Sequence, residues 1–492
     1  MKQEKTSPWE VIIGLEIHAE LNTKAKLFSG APNHFGDEPN SNITPVCTGM
    51  PGALPVLNKE AVRKAVQFGC AVGAQVAKFS QFDRKSYFYP DNPRNFQITQ
   101  FTHPIVIGGK IDAMVDGEEK HFHIHHAHLE DDAGMLKHFN TFAGVDFNRA
   151  GVPLLEIVSE PCMHTPKEAS AYASAVKAIL DAIDASDCNM EEGSLRVDVN
   201  ISVRKKGEPG FRNKTEIKNM NSFSNLEKAL HYEIGHQIAE YEKNQDKNPL
   251  DVIPQATYRY DPDQGKTILM RRKEQADDYR YFPEPDLLPL VLTEDFIEEV
   301  RKGLPELPLQ KEKRYVEELK LSPPTAFAIA YDKKIAVYFE ECLKYCQNAK
   351  SVANWILIEF AGRLKDKNLT LAETAIGPCH VASLVKNIDN GTISGKIAKS
   401  IADDMVEAPG KDPEEIIKEN LAYRPITDPA VIAPIVDSVI SANMQSAQDF
   451  IAGRDRAFAF LVGQVMKKTG GSASPELVNS LLKQKISEIT PK

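Results

Sequence analysis

The sequence has 492 residues, of which 42% are hydrophobic and 26% are charged, and its formal net charge is −10. This length exceeds one ordinary domain, and the composition is typical of globular proteins, which excludes disordered and fibrous classes. No run of eighteen apolar residues occurs, so no membrane span is expected, and the polar N-terminus does not predict a secretory signal. Seven scattered cysteines favour a reducing compartment, the cytoplasm, over a disulfide framework.

The negative charge is unevenly distributed along the chain. Residues 341–492 hold 18 Lys and Arg and 18 Asp and Glu, which leaves 41 basic and 51 acidic residues in 1–340. Overall acidity disfavours a polyanionic partner, since binding of phosphates needs a basic surface. The neutral C-terminal part can nevertheless carry a basic face.

The first part of the chain is predicted to be rich in strands, because short alternating runs are separated by Pro, Gly and Asn clusters. The clearest strand patterns lie in 11–21, 121–130, 194–204 and 257–272. Two helical patterns interrupt them, at 59–73 and at 165–183, the second with Thr165 as N-cap and Pro166 at its first position.

The proline-rich segment 281–292 marks a boundary, beyond which the pattern is helical, for example in 351–365 and 428–443. The predicted fold class is therefore α+β. We expect a mixed or antiparallel-sheet cradle domain (1–292), an all-helical domain (293–405) and a helical tail domain (406–492).

The strand pattern GLEIHAEL places Glu16, His18 and Glu20 on one face, since side chains alternate along a strand. Two carboxylates and an imidazole on one face can bind a divalent cation. The same pattern is also typical of a solvated strand face, and both interpretations stay open.

The segment HLEDDAG contains three consecutive carboxylates, Glu130, Asp131 and Asp132. Neighbouring like charges raise each other's pKa unless a metal ion, Lys or Arg offsets them. The preceding histidines alternate with apolar residues, which favours a polar strand face over a zinc site.

In MEEGSLRVDVNISVR, one strand face carries Arg196, Asp198, Asn200, Ser202 and Arg204. This row offers two cations for phosphate and a carboxylate and an amide for a metal. An exposed strand with no further role is the alternative.

In the segment FRNKTEIKNMNSF, every second position from Lys214 to Lys218 is charged, with Glu216 between the two lysines. Asn221 follows just before a predicted helix. A polar helix N-terminus beside two lysines can bind phosphate, and a charged edge strand with an N-cap is an equal alternative.

No P-loop, G-x-G-x-x-G or G-x-S-x-G pattern is present, since GTISGK departs from the P-loop spacing. Any ATP would therefore be bound by metal-bound carboxylates and scattered basic side chains.

These clusters, in this order, resemble the B subunit of the glutamyl/aspartyl-tRNA amidotransferase (GatB). The resemblance covers almost the whole chain and is carried by GLEIHAEL, FDRKSYFYPDNPRNFQITQ, HLEDDAG, DFNRAGVPLLEIVSEP, MEEGSLRVDVNIS, KNMNSF and DDYRYFPEPDL. It implies a carbon–nitrogen ligase subunit that uses ATP and Mg²⁺ to phosphorylate the side-chain carboxylate of mischarged Glu-tRNA(Gln) or Asp-tRNA(Asn). Ammonia from glutamine, released by an amidase A subunit, then displaces the phosphate. A small C subunit completes a cytoplasmic heterotrimer, and the tail domain binds tRNA.

The resemblance also implies roles for individual residues. The metal ligands would be Glu16, His18, Asp131 and Asp198, with Glu130 close by. Glu16, His18, Glu130, Asp131 and Arg196 would be catalytic. The ATP contacts would be Arg149, Glu156, Asn200, Lys214, Lys218 and Asn221. Lys85 and Tyr87 would line the ammonia exit.

One departure concerns the metal site, because many relatives read HLEED where this chain reads HLEDD. Asp131 is one methylene shorter than Glu, so the metal or a bridging water would lie differently.

Other hypotheses for the function are a tRNA-binding scaffold without chemistry and a metallohydrolase that acts alone. The archaeal-type relative GatE carries a large insertion domain for which this sequence shows no room.

Overall fold

The protein is described here by a computed structural model that covers residues 7–220, 222–272, 279–423, 426–471 and 473–489. The chain divides into two compact units, Met1–Gln310 and Lys311–Lys492. A sheet-based N-terminal part followed by helices confirms the predicted α+β class. The predicted boundaries of three domains stay a prediction.

All the described strands belong to the first unit. In chain order they are β1 (Trp9–Glu20), β2 (Gln75–Val76), β3 (Phe79–Ser86), β4 (Phe96–His103), β5 (Val106–Ile107), β6 (Lys110–Val115), β7 (Glu118–Asp131), β8 (Met135–His138), β9 (Ala143–Asp146), β10 (Pro153–Ser159), β11 (Leu195–Lys205), β12 (Thr215–Met220), β13 (Ala256–Asp261), β14 (Lys266–Arg272), β15 (Phe282–Pro283) and β16 (Leu290–Val291).

The helices occur in both units. They are α1 (Lys59–Ala71), α2 (Pro166–Ala182), α3 (Phe223–Lys243), α4 (Pro249–Val252), α5 (Glu294–Lys302), α6 (Pro308–Glu317), α7 (Pro323–Ala330), α8 (Lys333–Tyr345), α9 (Ala349–Asn354), α10 (Ala361–Leu364), α11 (Pro378–Asp389), α12 (Gly395–Glu407), α13 (Pro413–Glu419), α14 (Pro429–Ala442), α15 (Met444–Ile451), α16 (Asp455–Lys468) and α17 (Pro475–Ile489). Among the described helices, none combines the length and apolar character needed to cross a bilayer.

The main sheet of the first unit has the strand order β14-β13-β12-β11-β1-β10-β7-β5-β2, with β6 also paired to β7. Among its described pairs, only β12 and β13 run parallel, so the sheet is mixed. The N-terminal strand β1 is central, between β10 and β11. Its residues Ile13, Leu15 and Ile17 are at most 1% exposed, as the alternation of GLEIHAEL predicts.

Helices α2 and α3 pack against β1 and β11. Helix α2 begins as predicted, with the Thr165 hydroxyl accepting a hydrogen bond from Glu168 N and Pro166 at the first position. Its side chains Tyr172 and Val176 are fully buried. The apolar rows of the sheet are thereby buried, and the functional side chains described below belong to the polar rows that alternate with them.

The described residues of the second unit are helical and form two hydrophobic cores. One contains buried residues from Tyr315 to Ile416 and the other from Ile432 to Ile486. The predicted helix over 351–365 is interrupted by a π-helical segment, Trp355–Phe360. A π segment inside a helix shifts the side chains that follow it around the helix axis, and periodicity in the sequence does not show it.

Candidate active site

The polar face of the main sheet contains most of the residues singled out in the sequence. Because β1 lies between β10 and β11, His18 is opposite both Glu156 and Arg196. Glu16 is opposite Asp198 in the same way. Strand pairing therefore brings side chains from three distant segments into one layer.

A first group of carboxylates, termed the carboxylate trio, consists of Glu16, Asp198 and Glu216, whose ligand oxygens lie within 4.8 Å of one another. Asn200 Nδ2 donates to Glu16 Oε1 at 2.7 Å. Lys218 Nζ donates to Asp198 Oδ2 at 2.6 Å and lies 3.5 Å from Glu216 Oε1. Burial disfavours the ammonium of Lys218, but Asp198 and Glu216 outweigh this effect and raise its pKa. Three oxygen ligands suit Mg²⁺, which prefers oxygen.

A second group, termed the histidine trio, consists of His18, Glu130 and Glu156, again with ligand atoms within 4.8 Å. His18 Nε2 lies 3.3 Å from Glu156 Oε2, and His128 Nε2 lies 3.5 Å from the same oxygen. Burial opposes protonation of His18, but the carboxylates of Glu156, Asp198 and Glu130 outweigh it and raise the His18 pKa to about 9. Burial likewise opposes ionisation of Glu156, yet His128, His18 and Lys85 hold its pKa well below the usual range.

Lys85 on β3 adds a positive charge beside the histidine trio. Burial disfavours the charged form, but Glu130 and Glu156 raise the pKa of Lys85 above its ordinary value. The Nζ atom also lies 5.3 Å from the centre of the Tyr279 ring. Tyr87 stacks on Tyr89, with ring centres 6.1 Å apart, just beyond β3.

Arg196, predicted to be catalytic, and Arg149, predicted to contact ATP, both lie beside Asp132. Arg196 Nη2 donates to Asp132 Oδ2 at 2.5 Å, and Arg149 Nε lies 3.7 Å from that oxygen. Arg149 also donates to the carbonyls of Ala133 and Gly134 at 2.9 and 2.8 Å. Burial and the neighbouring Asp132 raise the pKa of Glu20 to about 8. These contacts fix both guanidinium groups at the edge of the polar face.

Asp131 is not brought together with Glu16 and His18. Its carboxylate forms an ion pair with Arg94 and accepts a hydrogen bond from Ile98 N at 2.8 Å. Burial raises the pKa of Asp131 although Arg94 acts in the opposite direction. Glu130 belongs to the histidine trio, whereas Asp131, the next residue of β7, anchors β4.

We expect Asp131→Asn to destabilise the fold while leaving metal affinity nearly unchanged. Asp131 is 2% exposed, and neutralising it leaves the guanidinium of Arg94 without its charge partner, which costs about 3 kcal/mol. Urea unfolding and a Mn²⁺ titration measure the two effects. Glu130→Gln is the matched control, which should weaken Mn²⁺ binding more than it lowers stability. A loss of Mn²⁺ affinity in Asp131→Asn without destabilisation would contradict this assignment.

A cavity of about 410 Å³ adjoins the carboxylate trio. This volume lies within the usual range of small-molecule sites. Its polar and charged lining includes Glu16, Asn200, Ser202, Arg212, Asn213, Lys214 and Gln255. Gly14 also lines it, and a Cβ there would meet only ordinary contacts, the nearest being Ser159 Oγ at 3.7 Å. Asn221 lies outside the described residues.

Several buried polar atoms at the two trios have no hydrogen-bond partner among the described residues. They are His128 Nδ1, Glu130 Oε2, Arg196 Nε and Asn200 Oδ1. Buried polar atoms in folded proteins are nearly always paired. Their concentration here, with carboxylates and an imidazole, fits a site that binds a cation and a polar ligand.

Three features of this site do not follow from the sequence patterns. The pattern shows Glu216 only as part of a charged strand, and its place in the carboxylate trio depends on the β11–β12 register, in which it pairs with Asn200. No pattern in the sequence assigns a position to His128, whose side chain contacts Glu156. Gly14 lines the cavity, but the sequence does not indicate this because glycine has no side chain.

Comparisons with known proteins match almost the whole chain. A family model described as the GatB/GatE catalytic domain matches residues 11–298, and one described as the GatB domain matches residues 337–486. The chain is 65% identical over 483 residues to the B subunit of an aspartyl/glutamyl-tRNA(Asn/Gln) amidotransferase from Protochlamydia amoebophila, with 98% of both chains covered. Proteins of the same description from Chlamydia abortus and Chlamydia pneumoniae are 59% and 58% identical. The match to the Chlamydia abortus protein covers 98% of this chain and 99% of that relative. The match to the Chlamydia pneumoniae protein covers 96% of this chain and 97% of that relative.

Proposed function

Because this chain belongs to the GatB/GatE family, we propose that it is the subunit of a tRNA-dependent amidotransferase that activates the amino acid of a mischarged tRNA. It would phosphorylate the side-chain carboxylate of Glu-tRNA(Gln), Asp-tRNA(Asn) or both with ATP. Ammonia released from glutamine by a separate amidase subunit would then displace the phosphate to give the amide.

The observation that carries this proposal is the polar sheet face with its two trios, of which the carboxylate trio adjoins a cavity of about 410 Å³. A carboxylate attacks a triphosphate poorly, because both are anionic, so the site must supply positive charge and hold the groups in line. The carboxylate trio suits Mg²⁺, and the histidine trio offers a second cation site. When bound, Mg²⁺ would supply Lewis-acid neutralisation of phosphate charge.

Basic side chains at the site would neutralise the remaining negative charge of the phosphates and of the substrate carboxylate. A cation on the carboxylate trio would compete with Lys218 for Asp198 and Glu216, which would leave the Lys218 ammonium available to a phosphate oxygen. Lys214 lines the cavity and would contact the nucleotide. Arg196 and Arg149, held by Asp132, would orient the substrate carboxylate at the other end of the polar face.

The remaining parts of the proposal concern the partners. Lys85, charged beside Glu130 and Glu156, would face incoming ammonia, with Tyr87 nearby on the same hairpin. We propose that a small C subunit completes a heterotrimer, that the C-terminal helices contact tRNA and that the complex works in the cytoplasm. All seven cysteines are unpaired, which is in keeping with a reducing compartment.

Purification of the chain with its amidase and C subunits tests the proposal directly. ATP-dependent conversion of each mischarged tRNA to its amide should be observed with glutamine or ammonium as nitrogen source. Hydrolysis of small phosphate esters by the lone chain, with no amide formed by the complex, would favour a metallohydrolase instead.

We expect Gly14→Leu to raise the KM for ATP about tenfold or more, because a side chain at this position would point into the cavity and occupy part of it. Gly14→Ala is the graded control and should have a small effect, since its Cβ meets nothing closer than 3.7 Å. Affinity for tRNA, measured by filter binding, should be the same in all three proteins. An unchanged KM in Gly14→Leu would show that this cavity does not bind the nucleotide.

A further inference from the structure

The cavity beside the carboxylate trio extends along β1 and β11. Glu16, which is opposite Asp198, lines it at the trio, and Ile12, which is opposite Ser202, lines it four residues away. Four residues of a strand span about 13 Å, which is enough to separate the base of a nucleotide from its phosphates. We call the part of the cavity beside Ile12 and Ser202 the far end.

The register between β11 and β12 places Asn213 toward the far end. Glu216 of the trio is opposite Asn200, and Thr215 is opposite Ile201, so the chain leaves the trio as the residue number falls. Asn213 precedes Thr215 by two residues and lines the cavity. Its side chain is therefore available to the part of a ligand that is remote from a cation on the trio.

The far end suits an uncharged group, because the charge of its arginine is already neutralised. Arg212 lines the cavity, but its guanidinium donates to the carboxylate of Glu208 at 2.9 and 2.6 Å. The guanidinium also lies 5.3 and 4.2 Å from the ring centres of Trp9 and Tyr241. Phosphates bind to positive charge that is not already compensated. The base of a nucleotide thus fits the far end, and its phosphates fit the end at the trio.

The side-chain amide of Asn213 has a fixed orientation. Its Nδ2 atom donates hydrogen bonds to the carbonyl oxygens of Leu250 and Ile253 at 2.7 and 3.0 Å. These two bonds use both amide protons, and the reverse orientation would place Oδ1 against two oxygens that only accept. The amide can therefore offer a ligand in the cavity only an acceptor, the Oδ1 atom.

A fixed acceptor distinguishes the two purine bases. Adenine carries an amino group at position 6, which donates, whereas guanine carries a carbonyl oxygen there, which only accepts. Asn213 Oδ1 would bond to the amino group and repel the oxygen. The amide cannot turn over to suit guanine without breaking its two bonds to Leu250 and Ile253.

We propose that Asn213 selects ATP over GTP by accepting a hydrogen bond from the 6-amino group of adenine. This inference rests on the proposed function, in which ATP occupies this cavity, and adds the residue that reads the base. A site with a fixed polar group discriminates against a ligand that lacks the partner, because the group is then left unpaired.

The test combines a variant of Asn213 with variants of the nucleotide. Amide formation by the full complex is measured as kcat/KM for ATP, GTP and purine riboside triphosphate, which carries only hydrogen at position 6. The unmodified complex should prefer ATP about tenfold over purine riboside triphosphate and about 100-fold over GTP. In Asn213→Ala the first preference should disappear, and the second should fall about tenfold.

Asn248→Ala is the matched control. Asn248 Oδ1 accepts a hydrogen bond from Leu250 N at 3.1 Å, so this variant disturbs the same segment that Asn213 holds, but Asn248 does not line the cavity. Both nucleotide preferences should be retained in Asn248→Ala. A merely structural role of Asn213 would lower the rates with all three nucleotides in equal proportion.

Two results would overturn the assignment of Asn213. One is equal use of ATP and GTP by the unmodified complex, and the other is an unchanged preference for ATP in Asn213→Ala. A complex that forms no amide with any nucleotide would instead refute the proposed function. The affinities of the complex for the same three nucleotides, measured by calorimetry, would still decide whether Asn213 reads the base.

Discussion

Replacing His18 with alanine is expected to lower ATP-dependent amidation by about 1,000-fold, the scale seen when a group that stabilises transition-state charge is removed. His18 is the imidazole of the histidine trio and lies 3.3 Å from Glu156. Its loss removes one proposed cation ligand and one of the groups that keep Glu156 ionised. The measurement is single-turnover formation of the amide by the full complex with saturating ATP and tRNA.

The controls for this variant address folding and specificity. Binding of tRNA should be unchanged, because the His18 side chain is only 18% exposed and contacts Glu156 within the site. His121→Ala removes an exposed imidazole whose Nδ1 lies 2.6 Å from Asp112, and it should leave the rate unaltered. Full activity in His18→Ala would reject a catalytic role for the sheet face and favour a scaffold that only binds tRNA.

The affinity of the metal-free protein for a divalent cation is expected to increase with pH up to about 9. At neutral pH His18 is protonated, because its pKa of about 9 lies above the ordinary value of 6.5. A metal must displace this proton, so affinity falls about tenfold for each pH unit below 9, or about 100-fold from pH 9 to pH 7. Calorimetry with Mn²⁺ in buffers of different ionisation enthalpy measures both the affinity and the proton released.

His18→Gln is the control for this pH dependence. Without the imidazole, the metal bound at the remaining carboxylates should show an affinity that is nearly independent of pH between 7 and 9. Release of no proton by the unmodified protein at pH 7 would contradict the prediction and would assign the cation to the carboxylate trio alone.

Much of the fold was predictable because its signals are local. Alternation in GLEIHAEL and in the run from Leu195 to Lys205 predicts which side chains share a face, and the structure confirms both strands. Thr165 and Pro166 predict the start of α2, because the Thr165 hydroxyl can accept a backbone hydrogen bond and proline has the φ angle of a first helical residue. The resemblance to GatB was confirmed by the comparisons.

The site was less predictable, because its geometry depends on pairing between distant strands. A run of three acids does not show which of them faces the site. Glu130 is opposite Leu154 and joins the histidine trio, whereas Asp131 bonds Arg94, a residue 37 positions earlier. In the same way Glu216 joins Glu16 through the β11–β12 register. Such registers are set by the packing of the whole sheet and not by any one segment.

The central position of β1 has a consequence for how the protein is made. Trp9–Glu20 leaves the ribosome well before its partners β10 and β11, which begin only at Pro153 and Leu195. At about 5–20 residues per second, roughly 10–35 s separate the synthesis of β1 and β11. During that time the backbone N–H and C=O groups of β1 that later bond to β11 are unpaired, and strands of neighbouring chains could pair with them. The histidine trio can assemble once β10 is made, whereas the carboxylate trio must wait for β12, so nascent chains complete the two trios in sequence.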